Sequence, residues 1–333
     1  MKKIKRLVIA CVAALCVSTV SFAQDVTFEN KLQWGIVDIN IANNNTNADL
    51  GKITNKTKAE YTSEKLDVGV GIKFTVSKNG NAIAFGSDDC IEDAYIEFKP
   101  IKLIGIGFRR GYSVAGSYLP CLEKEIEAAN IGSDFGLFVR PINGLVIGGG
   151  LDFISMFGTS GTPIVNFGAE YTIEETVAFG AAVRNVASGE RSIGIYASYI
   201  GIEGLTLNAG FTYNGNVNEY NISGNLINTA VMFNKGPWGI YANALFAVGG
   251  ASDIENELYV AANVCYMFDN GLFASLYGGF SNDFDNADKW GIEAYPGVGY
   301  SFNEHNTVGA GVYVYLMKNN TNISFPVYWK YTF

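Results

Sequence analysis

The sequence predicts an all-β fold: one transmembrane antiparallel up-and-down β-barrel of about 18 strands, with 14 as the lower bound, over residues 24–333 and preceded by a leader. Three observations carry that prediction. Apolar and polar residues alternate along short segments throughout the chain. The connections between these segments alternate between short and long. The last eleven residues, Ile323 to Phe333, alternate strictly and end in aromatic side chains.

The leader comes first. Residues 1–6 carry four positive charges, residues 7–20 (LVIACVAALCVSTV) are apolar, and Ser21-Phe22-Ala23 is a small-x-small cleavage signal. A secretory signal peptide cut after Ala23 is expected. Its apolar run is too short to span a bilayer as a helix, and no later run is long enough either. A lipoprotein reading would need Cys11 or Cys16 acylated. Cys11 has almost no apolar run before it, and Cys16 follows the bulky Leu15. Removing the leader takes four of the 23 basic residues and none of the 32 acids, leaving a mature net charge of −13. That balance argues against nucleic-acid binding. Cys90, Cys121 and Cys265 remain, an odd number that rules out a full disulfide framework. Cys90 and Cys121 fall in loops and can pair there; Cys265 reads as a small lumen-facing side chain.

Among the strands, Leu66–Ser77 is the clearest: Leu66, Val68, Val70, Ile72, Phe74 and Val76 face one way, while Asp67, Gly69, Gly71, Lys73, Thr75 and Ser77 face the other. Similar alternation covers residues 104–108, 135–139, 145–153, 165–173, 177–183, 193–199, 205–213 and 238–246, then 258–268, 272–280, 290–302 and 308–316. Residues 33–41 are strand-like with a mixed phase, and further strands are placed near 53–62, 90–99 and 219–233.

Short turns are expected at 63–65, 99–100, 141–144, 174–175, 201–204, 234–237, 269–271 and 303–306. Longer Asn/Asp/Gly/Ser-rich loops are expected at 43–52, 79–89, 116–130, 158–162, 185–191, 214–219, 249–256, 281–289 and 317–322. This two-ended rhythm is what a membrane barrel shows, with tight turns at one rim and longer loops at the other. A soluble all-β protein would alternate too, but would give no reason for that rhythm or for Trp329, Tyr331 and Phe333 on a terminal strand.

At the terminal strand the chain resembles the outer-membrane β-barrel proteins of Gram-negative-type bacteria. The resemblance implies that Val327, Trp329, Tyr331 and Phe333 form the signal read by the barrel assembly machinery, that both termini are periplasmic, and that the outer face meets outer-membrane lipid. Beyond this strand it is architectural and covers the mature chain without a family-specific motif.

A barrel of 16–18 strands leaves an aqueous channel, so strand count links fold to function. Glu123, Glu125 and Glu127 lie in the third long loop, which resembles the pore-narrowing loop of general porins in position and acidity. Arg109, Arg140 and Arg184 face the lumen by phase, and opposed charges across a constriction would sort solutes by charge and dipole. The plainer reading is a solvated loop and ordinary lumen arginines. Arg110 points toward lipid by strict phase unless a bulge intervenes. Tyr241, Tyr259, Tyr277, Tyr295 and Tyr313 recur every eighteen residues on the inward phase, joined by Tyr315 and Tyr328. They resemble the aromatic track of sugar-selective porins; packing that stiffens the lumen explains them as well.

The single histidine, His305, sits in a tight turn beside Glu304, which offers a hydrolase little shelter, so no enzymatic activity is expected. No metal-spaced cluster or phosphate loop stands out, and no cofactor is expected; Asp283, Asp285, Asn286 and Asp288 lack the Gly and Glu of an EF-hand loop. The expected function is passive diffusion of small hydrophilic solutes, with homo-oligomerisation left open. The alternative is a surface antigen or adhesin using the barrel as an anchor, for which loops 43–52, 79–89 and 281–289 are short.

Overall fold

The computed structural model describes residues 26–42, 45–49, 51–79, 82–86, 91–109, 111–113, 118–119, 124–125, 130–132, 134–152, 164–174, 176–186, 191–217, 222–249, 257–283 and 290–332. Eighteen antiparallel strands close into one barrel. They are β1 (Val26–Ala42), β2 (Asn45–Asp49 and Ile53–Thr62), β3 (Leu66–Asn79), β4 (Ala82–Gly86 and Ile91–Ile101), β5 (Ile104–Phe108) and β6 (Phe135–Val139). Then come β7 (Leu145–Asp152), β8 (Ile164–Ile173), β9 (Val177–Arg184), β10 (Ser192–Ile202), β11 (Leu205–Val217) and β12 (Ile222–Lys235). The last six are β13 (Trp238–Val248), β14 (Glu257–Met267), β15 (Leu272–Asp283), β16 (Trp290–Ser301), β17 (Asn306–Gly311 and Tyr313–Met317) and β18 (Asn320–Thr332). Each strand pairs with the next, and β18 pairs with β1 from Glu29↔Thr332 to Ala42↔Asn320, so the sheet has no free edge.

Burial is the reverse of a soluble protein. Leu137, Phe167, Ile195, Leu276 and Val298 stand on the outside at 49–58% exposure, while Glu97, Asn166, Thr212 and Asn228 are fully covered on the inside. An apolar coat over a polar interior is stable only with hydrocarbon outside. At the rim where Val26 and Thr332 lie, outward aromatics stack edge to face: Trp238 on Tyr266 at 4.7 Å, Tyr266 on Phe268 at 4.8 Å, and Tyr300 on Phe302 at 5.1 Å. This is one aromatic girdle of a membrane barrel. Trp329 joins it, its indole N–H donating to the Asn306 side-chain oxygen at 3.1 Å. His305 anchors the last strand, with Nδ1–H donating to the Thr332 carbonyl at 2.8 Å and the Thr332 N–H donating back to the His305 carbonyl at 2.8 Å.

The mixed phase of residues 33–41 has a cause. The β1–β18 register slips between Gly35 and Asp38, a β-bulge that adds one residue to β1. Leu32, Trp34 and Ile36 face out before it; Ile39 and Ile41 take over the outward phase after it.

Six of the nine expected loops are partly strand among the described residues, and three of them show how. Asn45–Asp49 pairs with the far end of β1, Ala82–Gly86 pairs with β3, and only Lys318 and Asn319 (φ 61°) turn between β17 and β18. Asn45–Asp49 and residues 320–322 are almost wholly polar, and Ala82–Gly86 (AIAFG) has no polar residue to set one face against the other, so no apolar-polar alternation marks them as strands.

Candidate functional site: the lumen wall

Parts of the inner wall are covered. Inward-facing Phe138, Asn166 and Ala182 are at most 2% exposed, whereas their outward neighbours Leu137 and Phe167 are about half exposed, so the cover lies inside. A short ladder, Gly111–Ser113 paired with Asn130–Gly132, continues from β5 and β6 but leaves the wall. Asn130–Gly132 comes within 8 Å, between Cα atoms, of β7, β8 and β9, so it crosses in front of strands it does not pair with. The departure begins at Arg109, whose backbone is left-handed (φ 50°) and whose N–H donates to the Asp134 carbonyl at 2.8 Å. The third loop therefore enters the barrel at its base. A second covered patch comprises Thr212, Leu226, Asn228, Leu245 and Tyr259. The arc running from β15 through β18 to β2 stays open. In a ring of eighteen, β9 stands half a circumference from β18, so the inward ladder leans from the wall opposite this arc.

Of the predicted constriction residues, Glu123 and Glu127 lie outside the described residues, as do Arg110, Cys90 and Cys121. Glu125 is described in its backbone, paired with Tyr118 in a two-rung hairpin. Arg140 faces the lumen and forms an ion pair with the completely buried Glu97 at 2.5 Å. Arg184 does the same with Asp152 at 3.1 Å. Both arginines are thus neutralised by neighbours on the wall. The space for the first pair comes from Gly105, where a Cβ would overlap Glu97 Oε1 and sit 2.7 Å from Arg140 Nη1. Cys265 is a free thiol on the inward phase.

Tyr241, Tyr259, Tyr277, Tyr295 and Tyr313 all lie on the inward phase, with two different environments. Tyr259, at 2% exposure, shares a 2.6 Å hydroxyl contact with Tyr277, which donates at 3.1 Å to Glu293. Tyr241 exchanges hydrogen bonds with Asn234 at 3.1 and 3.2 Å. These three are wall joinery. Tyr295 and Tyr313 meet edge to face at 6.4 Å and line a recess of about 220 Å³ with Gln33, Asp38, Lys52 and Thr54.

One feature escaped sequence reasoning. Lys330 on β18 is the register partner of Lys31 on β1, Lys31 of Lys56 on β2, and Lys56 of Lys73 on β3. Four inward lysines therefore share one rung. Glu29 holds Lys330 at 2.7 Å, and Lys31 lies 5.4 Å above the Tyr328 ring. Like charges directly opposite each other destabilise a sheet, and an anion in front of them relieves that strain. The row appears only once the pairing offsets are known.

The same barrel occurs among solved structures. It superposes on the crystal structure of Acinetobacter baumannii OccAB4 with a TM-score of 0.55 at 10% identity, covering 93% of this chain and 98% of that one. For Pseudomonas aeruginosa OccK5 (OpdH) the values are 0.53 and 10%, covering 92% and 97%. For the outer membrane protein opdK of P. aeruginosa they are 0.54 and 12%, covering 93% and 99%. No family model and no curated protein matches the sequence.

Proposed function

We propose that residues 24–333 form a non-enzymatic channel in a bacterial outer membrane, through which small hydrophilic solutes diffuse passively. The observation that carries this reading is the inverted burial of a closed eighteen-strand barrel: apolar side chains outside, charged and hydroxylated ones around an open inner arc. Near-complete overlap with solved barrels that include an outer membrane protein supports it. In this reading the leader over residues 1–23 is cleaved, the rim with both chain ends faces the periplasm, and Val327, Trp329, Tyr331 and Phe333 address the barrel to its assembly machinery.

Charge selection follows from the wall. We assign the basic side of a transverse field to the inward rung of Lys31, Lys56 and Lys73, where three like charges stand on successive strands. The acidic side falls to Glu123, Glu125 and Glu127 of the third long loop, whose last described residues, Asn130–Gly132, lie in front of β7, β8 and β9. Refolded mature protein in planar bilayers tests the channel: stepwise conductance is expected, and a barrel that inserts without passing current refutes it.

A further inference from the structure

The recess beside the lysine row is built by three backbone irregularities at one level of the wall. The β1 bulge follows Gly35, Pro326 stands opposite Gly35 on β18, and β2 is interrupted at residues 51–52. A proline in a strand cannot donate to the ladder and belongs at such a bulge. Gly51 packs so closely on Gly35 that a Cβ there would overlap the Gly35 carbonyl; the Gly35 N–H donates to the Lys52 carbonyl at 3.0 Å. The bulge also re-aims side chains: continued alternation would turn Val37 inward, and the extra residue turns Asp38 inward instead.

The lining differs from the wall on either side of it. Just beyond it, Asn40 bonds Asn320 at 3.0 Å and also Asn322; further round, Tyr277 bonds Tyr259 and Glu293. By contrast, among the described residues Gln33, Asp38, Lys52, Thr54 and Ser324 line the recess and make no side-chain hydrogen bond or ion pair with the protein. A carboxylate and an ammonium thus border one cavity without closing on each other, with the Tyr295 and Tyr313 rings beside them. Opposite charges held apart across a cavity fit a solute that carries both signs.

We infer that this recess is a binding subsite for a small zwitterion of the α-amino-acid type. Asp38 takes the ammonium, Lys52 takes the carboxylate, Gln33, Thr54 and Ser324 supply the remaining hydrogen bonds, and the side chain lies against Tyr295 and Tyr313. The inference deepens the channel reading and rests on it for transport, though not for binding.

The test uses refolded full-length mature protein and four probes: phenylalanine, phenylalaninamide, N-acetylphenylalanine and glucose. Binding is read twice, by current block in planar bilayers and by calorimetry in detergent micelles. Phenylalanine is expected to bind about tenfold more tightly than either singly charged analogue, since each analogue lacks one charge-assisted contact. Asp38→Asn should remove the advantage over N-acetylphenylalanine, and Lys52→Gln the advantage over phenylalaninamide. The double exchange Asp38→Lys with Lys52→Asp should restore the preference for the zwitterion, which a merely structural role would not. Equal binding of all three phenylalanine derivatives, tighter binding of glucose, or indifference to both single substitutions overturns the inference. Absence of current with calorimetric binding intact would refute the channel and leave the subsite standing.

Discussion

Removing the Arg140 guanidinium tests the inner wall most directly. Glu97 has no exposed surface, Arg140 is 22% exposed, and their 2.5 Å contact is possible only because residue 105 has no side chain. Arg140→Met keeps much of the apolar stem and deletes the charge, leaving a buried carboxylate without its cation. Breaking a buried pair from one side costs about 3–5 kcal/mol, or roughly 10²–10⁴ in the folded-to-unfolded ratio. The pair as a whole is worth far less, because both charges were desolvated to form it. Adding Glu97→Gln should therefore recover most of the loss. The assay is urea unfolding in micelles, followed by tryptophan fluorescence and by the heat-dependent shift of the folded barrel on gels. Lys330→Met is the control: its pair with Glu29 is 40% and 43% exposed, and its loss should cost at most about 1 kcal/mol. If Arg140→Met unfolds with the control, or if the double variant is no better than the single, the account of a buried and structurally committed pair is wrong.

Leu276 faces outward at 57% exposure, and Leu276→Arg should cost about 2–4 kcal/mol in the same titration; a neutral result would place lipid on the wrong face. Tyr277→Phe removes the hydroxyl that donates to Glu293 at 3.1 Å and should lower stability by about 1.5–3 kcal/mol while single-channel conductance stays at its wild-type value. Lys56→Glu places an acid in the middle of the lysine rung and should move the reversal potential in a salt gradient toward cation preference; no movement would remove the row from charge selection. Trp329→Ala with Phe333→Ala should reduce assembled barrel in outer-membrane fractions while the unassembled chain accumulates in the periplasm, and normal assembly would discard the terminal-strand signal.

What was legible in the sequence was whatever repeats with the pleat. Strands such as Leu66–Asn79 and Trp238–Val248 read directly, because one face must be apolar wherever hydrocarbon touches it. The inward phase of the tyrosines read equally well, since it needs only the parity within each strand. Elsewhere that signal lapses: Asn45–Asp49 is a strand that looks like a loop because it is polar on both faces, and Ala82–Gly86 (AIAFG) offers no polar residue to set its faces apart. The environment of an inward side chain was also invisible. Tyr259 and Tyr295 have the same spacing and phase, yet one is sealed against Tyr277 and the other borders a cavity.

The deeper gap concerns register. Parity says which face a residue takes, whereas pairing offsets say which residues stand side by side, and the chemistry of the lumen lives in the offsets. Lys31, Lys56, Lys73 and Lys330 are unremarkable apart and form a charged rung only when four strands are aligned. Asp38 is subtler, because its facing depends on a slip of one residue at Gly35 that ordinary alternation would count as noise. That noise has a recognisable composition: a glycine in β1, another in the neighbouring gap of β2, and a proline in β18, all meeting at one height. Strand breakers scattered along a sequence weaken a barrel. Brought together by register, they cost the wall a few ladder bonds in one place and leave a concavity there. In a barrel wall, such a concavity is where a solute can be held by more than one strand at once.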